Sequence, residues 1–429
     1  SLLQNSRESS PVSSSQPFTA TLPLRASTPT AICSPYFCAI LQVKSKLRMA
    51  NYFLEKKLNI ELPIWSVVCP ILAVVLLGIQ TQLPDNLWIT GLTAIALISA
   101  VLAAVHHAEV IAHKVGEPFG TLILALAITT IEVALIVSLM LAEKTEGPSV
   151  LARDTVYAAI MIILTGIIGL CLYIGGLRFK EQVFIKQGVN ASLITLIAIA
   201  LLTLVLPNYT TSEDHGQYNA SQLIFVAVQS LILYGGFLAM QTVRYRNYFL
   251  PESECTTNTA KTDDEELDNP YEHVTPPNNR TTIISSVLLM VALVAVVLLS
   301  KVLSPTIEAG VEAIGAPQSL VGIIIATVIL LPEGMAAIKA VRSDRLQTSL
   351  NLALGSALAS IGLTIPAVAI LCYFTGMEIT LGIDGKSTLL LILSLFIISI
   401  SFNTNKTNIQ QGIVLLVIFM TYIFTTIVP

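Results

Sequence analysis

The chain has 429 residues, of which 54% are hydrophobic and only 12% are charged, and its mean hydropathy is +0.77. Soluble domains carry roughly 25% charged residues, so most of this chain is not solvated surface. The formal net charge is −4 and no basic stripe with interleaved aromatic residues occurs, which argues against a nucleic-acid partner. The composition predicts a multi-pass membrane protein whose main partner is the lipid bilayer.

Residues 1–48 differ from the rest of the chain. They are rich in Ser, Thr and Pro, contain a single acid, Glu8, and precede the first methionine, Met49. This composition predicts either a disordered tail or sequence upstream of the true start. The same acid-poor, Ser-rich bias also fits an organellar transit peptide. The segment is therefore left out of the predicted fold.

From Met49 onward, apolar runs long enough to cross a bilayer alternate with short polar breaks. Eleven transmembrane helices are predicted, at 64–83, 87–107, 118–142, 154–176, 188–207, 220–242, 281–303, 317–341, 348–372, 386–402 and 409–428. The predicted fold class is an all-α polytopic membrane protein.

The runs divide into a leading helix and two sets of five. Residues 49–86 hold the leading helix, 87–242 the first set and 281–429 the second, with a polar loop at 243–280 between the sets. Because each set has an odd number of spans, the second set is inverted relative to the first. Inverted repeats with a site at their interface are typical of secondary transporters.

The distribution of positive charge predicts the orientation of the helices. With the N-terminus in the cytoplasm, the inner segments carry 14 Lys and Arg residues and the outer segments carry only Lys144, Arg153, Lys301 and Lys386. This is the bias that the positive-inside rule requires. We therefore predict a cytoplasmic N-terminus in a bacterial inner membrane, or an organellar membrane if residues 1–48 are a transit peptide.

The loop at 243–280 is strongly acidic. Its acids are Glu252, Glu254, Asp263, Asp264, Glu265, Glu266, Asp268 and Glu272. A solvated, flexible linker is one interpretation. Clustered acids also raise the local concentration of cations, so a cation-attracting or regulatory segment is the other.

Two carboxylates interrupt the apolar runs at membrane depth. Glu132 lies in the second helix of the first set and Glu333 in the second helix of the other, 333 − 132 = 201 residues later. A charge at this depth is costly and is normally kept for function, facing a protein interior or a water-filled cavity. The two helices run in opposite directions in the predicted fold. The pair predicts one cation and proton site between the two repeats.

Polar and helix-breaking residues adjoin both glutamates. Thr129 and Thr130 precede the first, and Pro332 and Gly334 flank the second. Proline frees a backbone carbonyl one turn back. Hydroxyls, freed carbonyls and two carboxylates make a site of hard oxygen ligands, which suits Ca²⁺ or, with fewer ligands, Na⁺.

The helix after Glu333 adds two candidate ligands. Asn351 and Ser356 have an amide and a hydroxyl oxygen that can complete the coordination of an ion. The helix is dense in small residues, which close helix packing also needs, so packing is an equal interpretation of Ser356. The equivalent helix of the first set offers Asp154 and Thr165.

His106, Glu109 and His113 can share one helical face and resemble transition-metal ligands. They lie at a predicted cytoplasmic helix end, where a solvated polar turn is more common. The spacing also lacks a third well-placed ligand of the usual kind, so a polar turn is the favoured interpretation.

Several stretches taken together resemble the Cha-type bacterial cation/proton antiporters of the calcium/cation antiporter superfamily. They are HHAEVIAHKVGEPFGTLILAL, the Thr-Thr-Ile-Glu of 129–132, ARDTVYAAIMII, LLPEGMAAIKAV, SLNLALGSALASIGLTIP and FNTNKTNIQQG. The resemblance extends from Met49 to the C-terminus and includes the acidic loop. The glycine-rich, Asn-containing first motif of the vacuolar relatives is replaced here by Ala-Ile-Thr-Thr.

The resemblance implies two inverted five-helix repeats after a leading helix. It implies that Glu132 and Glu333 are the shared Ca²⁺ and proton carboxylates, with Asn351 and Ser356 as supporting groups. The family branch also includes Na⁺ and K⁺ among its substrates.

The predicted function is antiport that exports cytoplasmic Ca²⁺ against proton influx by alternating access. The alternatives are a Na⁺ or K⁺/proton antiporter with the same site, and a cation channel lined by the two glutamates. A channel usually needs a symmetric ring of groups or a filter motif. An intramembrane enzyme needs a nucleophile with its base, or a motif such as HExxH within a span, and the sequence has neither. The transported ions and protons are the only ligands predicted; no cofactor and no oligomeric state are predicted.

Overall fold

The computed structural model describes residues 62–82, 86–116, 119–142, 147–211, 213, 216–249, 277–313, 315, 317 and 319–428. The prediction for residues 1–48 lies outside these ranges, and so do the predictions for the acids of the loop at 243–280.

The described residues form eleven long helices. They are α1 (Ile64–Gln82), α2 (Leu87–Val115), α3 (Phe119–Ala142), α4 (Leu151–Phe179), α5 (Lys186–Tyr209), α6 (Ala220–Arg244), α7 (Asn279–Ala313), α8 (Ser319–Arg342), α9 (Leu346–Thr375), α10 (Gly385–Ser401) and α11 (Ile409–Ile427). All except α10 are long and apolar enough to cross a membrane, and α10 is a shorter apolar helix. Each predicted span corresponds to one of these helices. The eleven predicted helices are therefore confirmed as helices, and ten of them meet the length and hydropathy of a membrane span.

Helix ends follow from capping residues that the sequence supplies. Asn219 begins α6 and Asn408 begins α11, and in each a glutamine three residues later completes a capping box. The Asp384 side chain accepts from the backbone amide of Ser387 at the start of α10. At the end of α9, Gly376 has a φ of +71°, a left-handed conformation that glycine adopts without strain. These caps satisfy backbone groups that helix termini leave unpaired.

A two-residue antiparallel ribbon is present in addition to the predicted helices. Gln182–Val183 (β1), after α4, pairs with Lys406–Thr407 (β2), before α11. Beside it, the Lys406 Nζ atom lies 3.1 Å from Glu181 Oε2 in an exposed ion pair. The segments are too short for a period-2 pattern, so the sequence did not indicate them. The ribbon joins a connection of the first set of helices to one of the second.

Connections meet at two separate ends of the bundle. At one end, the loop before α4 pairs with the loop after α9, where Ser149 N donates to Glu378 O and Thr380 N donates to Ser149 O. At the other end, the Gln182 amide donates to Asp344 Oδ1 at 2.8 Å, and Ile185 N donates to Gln347 Oε1 at 2.7 Å. Helices that cross alternately produce this grouping. The assignment of the second end to the cytoplasm stays a prediction.

Two hydrophobic clusters fill the interior, and α3 and α8 belong to both. The larger cluster contains residues of α4, α5, α6, α9, α10 and α11, together with Met140 of α3 and Leu330 of α8. The smaller joins α1, α2 and α7, together with Leu135 of α3 and Ile329 of α8. A helix that is apolar on all sides is buried on more than one face. The two glutamate-bearing helices therefore lie where the two clusters meet.

Candidate cation site

Glu132 on α3 and Glu333 on α8 are both buried at the junction of the two clusters. Each has only 4% of its surface exposed. The two carboxylates lie within electrostatic range of each other. The structure therefore brings together two acids that are 201 residues apart in sequence. Two buried carboxylates that interact electrostatically require a cation, protons or hydrogen-bond donors to offset their charge.

Ser360 on α9 contacts the first of these acids directly. Its hydroxyl donates a hydrogen bond to Glu132 Oε1 at 2.5 Å, and the residue is completely buried. Hydrogen bonds to charged groups are stronger than neutral ones, at about 1.5–3 kcal/mol. Ser360 thus holds one carboxylate oxygen in place and leaves the other available to a ligand. Ser360 was not among the site residues predicted from the sequence.

Glu333 has no such donor. Apart from a contact with its own backbone amide, neither carboxylate oxygen has a hydrogen-bond partner among the described residues. A buried carboxylate without a partner is unfavourable unless it binds a proton or a cation. Glu333 is therefore the group in this site that most requires a ligand.

The helices around the glutamates are locally irregular. Pro332 in α8 and Pro366 in α9 lack the amide hydrogens that the carbonyls of Val328 and Gly362 would accept. A π turn in α4, Ile162–Ile167, packs against α8 at the residue that follows Glu333. Single π turns are frequent at functional sites. Freed carbonyl oxygens near two carboxylates add to the hard-oxygen character of this region.

The two predicted threonine ligands lie in different surroundings. Thr129 is buried three residues before Glu132, and its hydroxyl donates to Ala125 O at 2.9 Å. Its oxygen still has lone pairs that a cation can use. Thr130 is exposed and donates to Leu126 O. Because two residues turn a helix by about 200°, Thr130 lies on the face opposite Glu132.

The two predicted ligands on α9 lie at different depths. Ser356 is half-buried, one turn before Ser360. Asn351 lies nine residues before Ser360, roughly 13 Å along the helix axis. Its amide nitrogen donates to Phe249 O, and its oxygen accepts from Gln347 Nε2 at 2.9 Å. The structure thus engages Asn351 at the end of α9, away from Ser360.

A stripe of hydroxyls spaced four residues apart runs along α9. It contains Ser356, Ser360 and Thr364. The Thr364 hydroxyl is buried and has no hydrogen-bond partner among the described residues. Residues four apart lie on one helical face, so the spacing itself was the sequence signal that could have identified Ser360 and Thr364.

The remaining sequence candidates lie outside this site. His106 Nδ1 is 3.9 Å from Glu109 Oε2, whereas His113 is exposed. Within the described part of the chain, no three His, Cys, Asp or Glu residues are grouped closely enough to hold a metal ion. Asp154, at the start of α4, pairs with Arg153 at 2.7 Å.

Replacing Ser360 with Ala tests its contact with Glu132. Loss of a buried hydrogen bond to a charged group is expected to weaken cation affinity by about one to two powers of ten. The measurement is the cation concentration that gives half-maximal proton movement in vesicles. Ser394→Ala is the matched control, because Ser394 is equally buried but donates to its own helix at Leu390 O. Equal affinities in the two variants would remove Ser360 from the site.

The sequence matches the sodium/calcium exchanger protein family over residues 86–243 and 284–428, and the chain belongs to this family of transporters. It is 43% identical to y4hA of Sinorhizobium fredii over 372 residues, which cover 86% of this chain and 97% of that protein. It is also 34% identical over 363 residues to the sodium-potassium/proton antiporter ChaA of Escherichia coli, covering 84% and 95% of the two chains.

Solved structures share the fold. The structure of native YfkE superposes with a TM-score of 0.61 at 16% identity, covering 85% of this chain and all of that one. The H⁺/Ca²⁺ exchanger CAX superposes with a TM-score of 0.60 at 16% identity, covering 84% and 88%. The fold class and the family predicted from the sequence are therefore confirmed. The chain is a multi-pass membrane protein of a cation exchanger family.

Proposed function

We propose that this protein is a cation/proton antiporter in which Glu132 and Glu333 bind the transported cation and protons in turn. The observation that carries the proposal is the buried pair itself, in which Glu333 has no donor from another described residue. Its direction of transport is export of cytoplasmic Ca²⁺ against inward proton movement. Both acids lie where the two hydrophobic clusters meet, a position from which a site can open to either side.

Charge balance provides the coupling. Two ionised carboxylates place two negative charges in a buried region, which is unfavourable without compensation. One Ca²⁺ ion or two protons offset the same charge. The site is therefore stable with either ligand bound and unstable with neither. Reorientation of the empty, doubly charged site from one side of the membrane to the other is strongly disfavoured. Ser360 supports this exchange by orienting Glu132 while leaving an oxygen for the ion.

Transport of Na⁺ or K⁺ is the second candidate. The 34% identity with a sodium-potassium/proton antiporter favours it. A monovalent ion offsets one of the two charges, so the second carboxylate would keep a proton while the ion is bound. Both substrates use the same two acids and differ in the number of protons displaced.

The membrane and orientation complete the proposal. We infer a bacterial inner membrane with the N-terminus in the cytoplasm, which the 14 to 4 distribution of Lys and Arg supports. The similarity to a bacterial protein also supports this membrane. Under this orientation the ribbon of β1 and β2 lies at the cytoplasmic face.

The test is cation-driven proton movement in inside-out vesicles that carry a pH-sensitive dye. A proton gradient is set first, and Ca²⁺, Na⁺ and K⁺ are then added separately. We expect Ca²⁺ to dissipate the gradient; a response to Na⁺ or K⁺ alone would favour the second candidate. Cation uptake without proton movement would contradict antiport and favour a channel. Vesicles without the protein provide the background.

A further inference from the structure

Pro70 leaves a backbone carbonyl without its helical partner in α1. The proline is the seventh residue of the helix and has no amide hydrogen. The carbonyl oxygen of Ser66, four residues earlier, therefore has no donor within the helix. Ser66 is fully buried. A buried carbonyl requires a hydrogen-bond partner from elsewhere.

His107 on α2 provides this partner. Its Nε2 atom lies 2.9 Å from the carbonyl oxygen of Ser66, and the side chain is completely buried. A carbonyl oxygen only accepts, so Nε2 carries the hydrogen and the neutral ring has a bare Nδ1. Nδ1 is buried and has no hydrogen-bond partner among the described residues. The contact thus fixes both the tautomer of the ring and the position of α1 on α2.

We propose that His107 is a proton-sensitive clamp between the leading helix α1 and the first helix of the exchanger, α2. In its neutral form it donates to Ser66 O and keeps the clamp closed. A second proton, on Nδ1, would place a positive charge and a donor where no acceptor is available. Protonation is easier once the ring leaves this position, so acid favours the open clamp.

The groups around the ring provide no compensating negative charge. On its own helix, His106 is the neighbouring ring at 5.9 Å between centroids, and Glu109 lies beside His106, 3.9 Å from its Nδ1. Lys339 of α8 interacts electrostatically with Glu109, so the negative charge of Glu109 is already partly offset by a lysine. The other charged or titratable groups of helices that pack against α2 are Cys69 of α1, Arg280, Lys301, Glu308 and Glu312 of α7, Glu132 of α3, and Glu333 and Arg342 of α8.

Among the described residues, none of those groups forms a hydrogen bond or an ion pair with the ring of His107. The helix α1, which covers the ring, contains no charged side chain. It contributes Trp65, whose ring lies 5.2 Å from that of His106. A proton on His107 would therefore be desolvated and unpaired.

The opposite end of α1 is fastened by groups that do not titrate. The Gln80 amide donates to Thr90 Oγ1 at 3.2 Å and accepts from Thr93 Oγ1 at 3.3 Å. Only the end with His107 responds to pH, so an open clamp leaves α1 attached at its far end. Since α1 and α2 pack in the cluster that also covers one face of α3, the clamp can affect the glutamate site.

A double-mutant cycle on thermal stability tests the closed clamp. We expect His107→Phe to lower the Tm of the purified protein by several degrees, because Ser66 O loses its donor. In a Pro70→Ala background the restored amide at residue 70 pairs with Ser66 O, so His107→Phe should change the Tm far less. Phenylalanine preserves ring size. An equal loss in both backgrounds would overturn the clamp, and this measurement does not depend on transport.

His107→Gln tests proton sensitivity, because its amide can donate from the place of Nε2 but cannot be charged. Lowering the pH from about 7.5 to about 5.5 brackets the ordinary titration of imidazole. We expect the wild type to lose more thermal stability over this range than His107→Gln. His113→Gln, an exposed histidine of α2, is the control and should behave as wild type. A His107→Gln protein with the wild-type pH profile would overturn the switch.

The transport consequence rests on the proposed antiport. In vesicles whose cytoplasmic face is acidified over the same range, the wild-type maximal rate should fall more than that of His107→Gln. The difference expected is on the order of tenfold, the effect of leaving one buried polar group unpaired. Equal falls in the two proteins, together with equal stability profiles, would contradict the inference. Absence of exchange in all proteins would contradict the proposed function, while the stability profiles would still judge the clamp.

Discussion

Glu132→Gln and Glu333→Gln are each expected to abolish cation-driven proton movement. Glutamine preserves the size of the side chain and removes the charge that binds the ion. Removing one partner of a buried pair of opposite charges typically costs about 3–5 kcal/mol. Here that pair is a carboxylate and the bound cation, so the loss falls on cation affinity, by about two to four powers of ten. Both acids are buried and interact electrostatically. We expect both negative charges to be needed to bind the ion, so one acid alone does not suffice. The measurement is the dye assay in inside-out vesicles.

Two controls separate loss of the site from loss of the fold. Glu181→Gln changes an exposed carboxylate that pairs with Lys406 and should retain wild-type exchange. The thermal stability of both site variants should equal or exceed that of the wild type, because each removes a buried negative charge. Full exchange by either site variant would contradict a shared site. Retained cation flux with no proton movement in the wild type would favour a channel.

The helices and the two acids could be predicted from the sequence because both signals are local. A bilayer span requires about 20 predominantly apolar residues in succession. Soluble proteins of ordinary composition do not contain many such runs. Glu132 and Glu333 stand out because each is the only acidic residue within its run. Their burial and proximity follow from the inverted arrangement, which the odd number of spans in each set indicates.

Contacts between distant parts of the chain could not be predicted in this way. Ser360 and Glu132 are 228 residues apart, and nothing in either segment specifies the other. The ribbon of β1 and β2 is also a contact between distant segments, and its two-residue strands are too short to give a sequence signal. The Asn351 amide nitrogen likewise donates to Phe249 O, 102 residues away in sequence, and a ligand role for Asn351 stays a prediction. The type of a residue indicates which ligands it can bind, but its position along the packed helix determines which residue it contacts.

The His107 contact lies between these two cases. Pro70 can be recognised from the sequence as a residue that frees the carbonyl of Ser66. The donor could not be predicted from the sequence, because His107 reaches this oxygen only when α1 and α2 pack in one particular register. A proline in an apolar helix therefore predicts that a donor is needed, and only the fold identifies it.

Gly412→Ala is expected to destabilise the protein strongly. A Cβ atom at this position of α11 would collide with the backbone nitrogen of Tyr173 on α4 and lie 2.8 Å from Gly169 O. Gly176 on α4 is also closely packed against α11, since its Cβ would lie 2.8 Å from the Cα of Ile409. Both obstacles are backbone atoms, which cannot rotate away. Overpacking typically costs about 1–3 kcal/mol, and a collision with backbone lies at or above the upper end.

The same substitution at Gly236 is the matched control and should have the opposite sign. Gly236 lies within α6 and a Cβ there meets nothing within 4 Å. Alanine in a helix is favoured over glycine by about 0.5–1 kcal/mol. Thermal stability in detergent should therefore fall by several degrees for Gly412→Ala and stay level or rise for Gly236→Ala. Equal stability of the two variants would show that α4 and α11 are further apart than described. Since α4 also contains the π turn that packs beside Glu333, Gly412→Ala should lower exchange as well, whereas Gly236→Ala should not.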